Sequence, residues 1–404
     1  MRIAHFSDLH YCAKHLLEVD RCFTFAVDAA IAAGVDCALI SGDATDHALD
    51  VHAPAVAALA RNVRRLADHC PVLMLQGTFS HEPPGTLEVF RLLGGHFPVH
   101  VADRIEQVAL MSEGKWLPCQ GWCFDEVPAG ARAVFSCIPT INKATVAAAV
   151  GATEAAGAVG EHLALLLQGF GPTNAAARMS GVPTIGVSHG TVYGCITEHG
   201  VPMAGFDHEF TTGTLFSAGV SAFLLGHIHK HQMWEWGGRL IAYAGSVARL
   251  HYGEEGEKGF LVWDIDTAGA SCTMVPTPAR RTIELAFDGP PDLATLRGYA
   301  QRDDLAGTYV RVRWTVPEET RERVDRDAIT TLFGAAAEVR LEGRVIPAVT
   351  ARAAGISRVP TLEGRVRCWA QGTQSPVDPL LLALAALDLQ TPAQIAGDLL
   401  SGRP

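Results

Sequence analysis

The first hundred residues alternate short apolar runs with amphipathic stretches. Residues 2–6, 36–41 and 71–75 are apolar runs of strand length, and apolar positions recur at helical spacing over 20–33 and 54–69 between them. Short buried strands alternating with helices predict an α/β layered domain. Polar residues and histidines fall directly after these strands, at the carboxyl ends where open α/β sheets place their ligands.

A mixed segment follows at 96–140, then an Ala-rich stretch over 143–168 that reads as a helix closed by Gly169 and Gly171-Pro172. Strands are predicted over 184–188 and 222–225, each delivering a loop with histidine, and over 240–245 and 259–265, returning to the sheet. Pro276 and Pro278 then punctuate the chain. The expected organisation is a main domain over 1–277, a small α+β unit over 278–346 and a helical segment over 347–404. The α+β unit is read from strands at 281–287, 308–315 and 337–341 with helices at 293–301 and 323–332. The last segment is read from apolar spacing in 379–387 and 392–400.

A length of 404 residues exceeds one hydrophobic core, and 48% apolar against 19% charged residues argues for packed domains over extensive disorder. No apolar run approaches the roughly 20 residues of a membrane span. The opening segment reaches His5 and Asp8 before any signal-like stretch, so a soluble, cytoplasmic protein without a membrane partner is expected. Ten scattered cysteines then read as buried thiols, and the Cys119/Cys123 pair lacks a second pair at zinc-site spacing.

A net charge of −11 weighs against a polyanionic partner. Its distribution changes that picture. Residues 1–275 hold sixteen Lys and Arg against twenty-seven Asp and Glu, whereas residues 276–404 hold sixteen Arg, no Lys and sixteen acids. The acidity belongs to the part where the histidines gather, and bound divalent cations would offset it locally.

Five loops contribute oxygen or imidazole donors: Asp8-Leu9-His10, Gly42-Asp43, Ser80-His81, His189, and His227-Ile228-His229. A single D-x-H or H-x-H pair is weak evidence in a chain with seventeen histidines; the ordered series after strands is strong. Such a set suits two divalent cations about 3.5–4 Å apart that polarise a phosphoryl group and activate water. Residues i and i+2 of an extended segment point the same way, so each pair can converge on one cluster. Gly42 and Gly226 suit a backbone turning tightly beside it. His5, His15, His47, His52 and His199 read as ordinary core or solvent histidines, and His231, two beyond His229, reads as a substrate-facing or exposed side chain in preference to a ligand.

The series resembles the calcineurin-like binuclear metallophosphoesterase superfamily, whose pattern is D-x-H, G-D, G-N-H-[DE], H and G-H-x-H. Within it the chain is most similar to the Mre11/SbcD DNA-repair nuclease family, because Tyr243-Ala244-Gly245-Ser246, Tyr252-Gly253-Glu254 and Lys258-Gly259-Phe260 resemble that family's closing stretch. The likeness covers residues 1–265 and is loose in the last third, where Tyr309-Val310-Arg311-Val312 resembles a capping domain.

The fold that the resemblance implies is an α/β sandwich of two mixed sheets flanked by helices, followed by an α+β capping domain and C-terminal helices. It implies one cation held by Asp8, His10, Asp43 and His229, and a second by Asp43, His189, His227 and the residue at the asparagine position, with Asp43 bridging. His81 would sit off the cations, orient the scissile phosphate and protonate the leaving oxygen. The chain departs from the family pattern at Gly77-Thr78-Phe79-Ser80-His81-Glu82, which lacks the asparagine and carries two extra residues. Ser80 is the expected substitute ligand and Thr78 the alternative.

The activity implied is that of an exonuclease/endonuclease subunit in DNA double-strand break repair, with two Mn²⁺ as cofactors and Mg, Fe or Zn as alternatives. Candidate phosphate contacts are Lys230, Arg249, Arg311 and Arg313, and Trp234 and Trp236 are candidates for stacking on bases. Partners implied are DNA, a second copy in a homodimer, and a Rad50/SbcC-like ABC ATPase with a coiled coil, docked on the apolar helices at 379–400. Two other readings stay open: a phosphatase or phosphodiesterase acting on nucleotides or small phosphoesters, and a non-catalytic scaffold of an ATPase complex.

Overall fold

The computed structural model describes all residues except 48, 94, 142–154, 198, 203–208, 255, 302–304, 348–352, 354 and 402–404. Two mixed sheets form the heart of the fold. The first has the order β15-β14-β1-β2-β3-β4, from β1 (Arg2–Phe6), β2 (Cys37–Ile40), β3 (Val72–Leu75), β4 (Val99–Ala102), β14 (Gly259–Ile265) and β15 (Ala270–Pro276). Strands β1 to β4 run parallel, while β14 and β15 are antiparallel additions. The second sheet has the order β12-β13-β11-β8-β7-β5-β6. It is built from β5 (Glu106–Met111), β6 (Trp116–Pro118), β7 (Ala131–Ile138), β8 (Thr184–His189), β11 (Ala222–Gly226), β12 (Gln232–Trp236) and β13 (Arg239–Tyr243). Two short strands, β9 (Thr191–Val192) and β10 (Glu209–Phe210), pair apart from both.

The two-residue period of a strand sends alternate side chains to opposite faces. Ile3, Leu39, Leu73 and Leu75 of the first sheet meet Val108, Phe135, Ile185, Val187 and Leu224 of the second in one buried cluster. Their neighbours Ala4, Phe6, Ala38 and Ile40 face the other way, onto Val19 and Phe23 of helix Leu16–Ala32 and Leu59 and Val63 of helix Pro54–His69. On the far side of the second sheet, Phe223, Leu225 and Ile241 pack against Leu163, Leu167 and Phe170 of helix Ala155–Met179. Burial on both faces explains why the central strands read as continuous apolar runs. The fold class is therefore α/β, with two stacked mixed sheets between helices.

One element departs from the sequence expectation. The Ala-rich helix does not close at Gly169; it runs on to Met179 through Pro172, because Phe170, Asn174 and Ala177 supply further buried positions at helical spacing. Asn174 is held there by its amide, which donates to Ala218 O at 2.8 Å. Residues 143–154 of the expected helix lie outside the described residues.

The chain divides into two compact units: 1–285 with 297–312 and 330–340, and 286–296 with 313–329 and 341–404. Strands β16 (Thr282–Asp288), β17 (Tyr309–Pro317) and β18 (Glu338–Ile346) form a three-stranded sheet. The end of the chain is helical, over Leu362–Thr373, Val377–Leu389 and Pro392–Leu400. Among the described residues no helix is long and apolar enough to cross a membrane.

Candidate metal centre

Strand pairing brings the donor loops together. Strand β1 lies beside β2, and β8 beside β11, so the loops after all four strands open at one end of the sandwich. Asp8 N donates to Gly42 O at 3.2 Å and His10 N to Asp43 O at 2.9 Å, which fixes the first two loops against each other. Across the sandwich, His227 N donates to both oxygens of Asp8 at 3.1 Å.

The side chains do not converge by strand pleating, as their spacing of two suggested. Asp8, His10 and Asp43 are left-handed, with φ of 50°, 49° and 50°, and His227 has φ of 105°. These four are among only six non-glycine residues with positive φ in the described chain. The loops thus turn sharply to present donors while Leu9 and Ile228 go into the core. Strain of this kind costs about 1–3 kcal/mol per residue and persists where surrounding structure enforces it, commonly at functional sites.

Asp8, His10 and His229 form one group of donor atoms lying within 4.8 Å of one another, and Asp43, His189 and His227 form another. Asp43 reaches toward both: its Oδ2 is 3.2 Å from His189 Nε2 and 4.0 Å from His10 Nε2. His10 Nε2 and His229 Nε2 approach to 3.0 Å. His189 donates Nδ1–H to Ser41 O at 2.8 Å, which leaves Nε2 as the nitrogen facing Asp43. That carbonyl requires glycine at 226, where a Cβ would collide with Ser41 O and Ser7 Oγ. The set of imidazoles and carboxylates, with Asp8, His10, Asp43 and His189 buried and His227 and His229 partly so, matches what borderline divalent cations take.

Electrostatics follow from this crowding. Burial alone would raise the Asp43 carboxyl, but His189, with His10 and His81, holds it well below the usual carboxylate range. Burial opposes charge on His189, yet the adjacent Asp43 raises it to about 10. His10 is pushed down to about 4 by burial and by His229. The site therefore binds positive charge at its carboxylates and resists it at His10.

Beside these donors lies a cavity of about 410 Å³ that also takes in His15, His47, Thr197 and His251, and among the described residues no Lys or Arg lines it. His81 stands on its wall, its ring edge-on to His10 at 4.7 Å and its Nδ1 2.8 Å from Asp46 Oδ1. His10, Asp46 and His81 make a third close group of potential donors.

No family model and no curated protein matches the chain. Solved structures do resemble it. GAP50, the anchor in the inner membrane complex of Plasmodium, is 13% identical with a TM-score of 0.44, over 68% of this chain and 84% of its own. A dimetal phosphatase from Danio rerio is 11% identical with a TM-score of 0.42, over 68% of this chain and 98% of its own.

One sequence expectation needs correction. Ser80 is exposed and does not line the cavity. The Thr78 hydroxyl takes the inner place, 3.1 Å from Asp43 Oδ2 and 3.2 Å from His189 Nε2. Arg249 faces inward to carbonyls, donating to Glu254 O at 3.2 Å, to Gly256 O at 2.5 Å and to Arg280 O, and so braces its own loop. Arg311 lies 3.5 Å from Glu284, and Arg313 lies 3.8 Å from Glu342, so both face acidic neighbours. Lys230 is half-buried next to His229. Trp234 packs on Tyr243 with ring centroids 5.9 Å apart, whereas Trp236 is 61% exposed.

Three carboxylates received no role from the sequence. Asp46 orients His81. Glu82 is fully buried and accepts from the amides of Ala44 and Gly77 at 2.6 Å and of Thr45 at 3.2 Å, tying the Asp43 loop to the Thr78 loop. Burial and the Asp43 charge push Glu82 up to about 7. Glu254 sits behind His229, 3.4 Å from its Nδ1. The acidic residue after His81 and the Tyr-Gly-Glu run were the available signals for two of them; Asp46 had none.

Proposed function

We propose that the chain is a divalent-cation-dependent phosphoesterase whose substrate is a phosphodiester of DNA, cut by an exonuclease or endonuclease subunit in end processing or double-strand break repair. The observation that carries the phosphoesterase reading is the Asp43 carboxylate, aimed at His189 on one side and His10 on the other, between two donor groups. Asp8, His10, Asp43 and His229 would hold one cation, and Asp43, His189, His227 and the Thr78 hydroxyl the other. Two such cations act as Lewis acids on phosphoryl oxygens and lower the pKa of water.

The chain's own groups complete the site. His81, with Nδ1 directed to Asp46, presents Nε2 as the atom that passes a proton to the leaving oxygen. The buried Glu82 keeps the Asp43 and Thr78 loops in register. The DNA part of the reading rests on the sequence resemblance over residues 1–265. With it come Mn²⁺ as the working cation, a homodimer, a cytoplasmic location and a coiled-coil ABC-type ATPase docked on the apolar C-terminal helices.

One observation favours a second reading, hydrolysis of a nucleotide or small phosphoester. Among the described residues no Lys or Arg lines the cavity, and Arg249, Arg311 and Arg313 face carbonyls or acids. Purified protein with Mn²⁺ is to be assayed on linear double-stranded DNA and on bis-p-nitrophenyl phosphate, with and without the ATPase and with a chelator control. Chelator-sensitive DNA degradation is expected. Hydrolysis of the small ester without DNA degradation in any combination would favour the second reading, and inertness toward both would leave a scaffold.

A further inference from the structure

We infer that the buried ion pair of Glu254 and Lys258 is a positioning device that aims His229 at its cation, an inference that rests on the metal-dependent reading above. Both side chains are out of solvent, at 0% and 1% exposure, with Lys258 Nζ 2.6 Å from Glu254 Oε2. Glu254 Oε1 lies 3.4 Å from His229 Nδ1. Lys258 Nζ donates to the carbonyl of the same histidine at 3.0 Å and to Ser246 Oγ at 2.9 Å. One ion pair therefore grips His229 at both its ring and its backbone.

The chemistry of the groups explains the arrangement. An ammonium has three protons, and here the Glu254 carboxylate, the His229 carbonyl and the Ser246 hydroxyl accept all three. The second Glu254 oxygen also accepts from Leu250 N at 3.3 Å, and Ser246 N donates to His229 O at 3.2 Å. With its Nδ1 proton directed to Glu254, His229 offers Nε2 toward Asp8 Oδ1, 4.0 Å away, and His10 Nε2, 3.0 Å away. A carboxylate behind a ligating imidazole fixes its tautomer and raises its basicity. Neither Glu254 nor Lys258 lines the cavity, so both act through His229. A site that only needed filling would be served by apolar residues, because burying two charges costs desolvation that apolar groups avoid.

The test uses the full-length protein, freed of metal and titrated with Mn²⁺ by electron paramagnetic resonance, with thermal unfolding of the metal-free form in parallel. Wild type is expected to bind two Mn²⁺. The double variant Glu254→Gln/Lys258→Met removes both charges while keeping side-chain size, and leaves no lone buried ion. It is expected to weaken one binding event about ten- to hundredfold and the other less than threefold. Glu254→Asp, which keeps the charge but withdraws it by one methylene, is expected to weaken the same event about tenfold, and it decides the matter if the double variant does not fold. Unchanged affinity at both events, or equal weakening of both, overturns the inference, the latter assigning the pair to folding alone. Wild type that binds no Mn²⁺ overturns it as well. Wild type that binds two Mn²⁺ yet hydrolyses neither DNA nor a small ester sinks the proposed function and leaves the positioning role standing.

Discussion

The Thr78 hydroxyl stands 3.2 Å from His189 Nε2 and 3.1 Å from Asp43 Oδ2, while the Thr78 amide donates to Asp43 Oδ1 at 2.6 Å. One residue thus addresses the Asp43 carboxylate with both backbone and side chain. Thr78→Val keeps the shape and the amide bond but removes the oxygen. It is expected to weaken one Mn²⁺ at least tenfold and to lower phosphoester hydrolysis by a similar factor. Thr78→Asn, which supplies an amide carbonyl, is expected to tighten that cation. Isothermal titration of the two variants checks the pair, and equal affinities in both would deny Thr78 a place as ligand.

His81 and Asp46 act as a unit, joined at 2.8 Å. Because His81 is assigned to proton transfer and not to cation binding, His81→Ala is expected to lower kcat by about 10²–10⁴ with Mn²⁺ affinity kept. Asp46→Asn is expected to lose less. Steady-state kinetics alongside Mn²⁺ titration separate these effects from loss of metal.

The buried His5 makes the chain acid-sensitive independently of catalysis. Its ring lies between Ser41 Oγ at 2.8 Å and Trp263 Nε1 at 3.4 Å, and burial pushes its pKa from the ordinary 6.5 down to about 3. Below pH 6.5 the unfolded chain takes up a proton that the folded chain refuses. The contribution of His5 to stability is therefore full above pH 6.5 and falls toward pH 3, by up to ~1.4 kcal/mol per pH unit. Urea unfolding at pH 7.5 and 5.5 is expected to show a smaller pH difference for His5→Gln than for wild type. Equal differences would mean that His5 titrates alike in both states.

Gly77 has no room for a side chain, since a Cβ there would collide with Asp43 N and Oδ1. Gly77→Ala is expected to destabilise the protein by roughly 1–3 kcal/mol and to weaken Mn²⁺ binding by displacing Asp43. Denaturant unfolding of the metal-free form together with Mn²⁺ titration measures both, and wild-type values would show that the loop yields freely.

Much of the architecture was legible locally. A strand buried on both faces needs an apolar run, and a helix on its flank needs apolar spacing near 3.6, so β1, β2, β3 and the helix Pro54–His69 stand out from short windows of sequence. Asp8, His10, Asp43, His189, His227 and His229 stood out because each follows such a strand, and the structure brings these six into two donor groups. The extent of the Ala-rich helix was not legible, because glycine and proline at 169–172 are local stop signals and packing of Phe170 and Asn174 outweighs them.

What the linear order of residues determined by itself is the alternation of strands and helices and the position of chemical groups at strand ends, since both follow from periodicities of two and 3.6 residues. Only the tertiary structure decided which groups meet. His10 and His229 are 219 positions apart and touch because β1 and β11 belong to two sheets stacked face to face. The choice of Thr78 over Ser80, the inward turn of Arg249 and the placement of Glu254 behind His229 depend on left-handed loop residues and on burial, and neither is written in any local pattern.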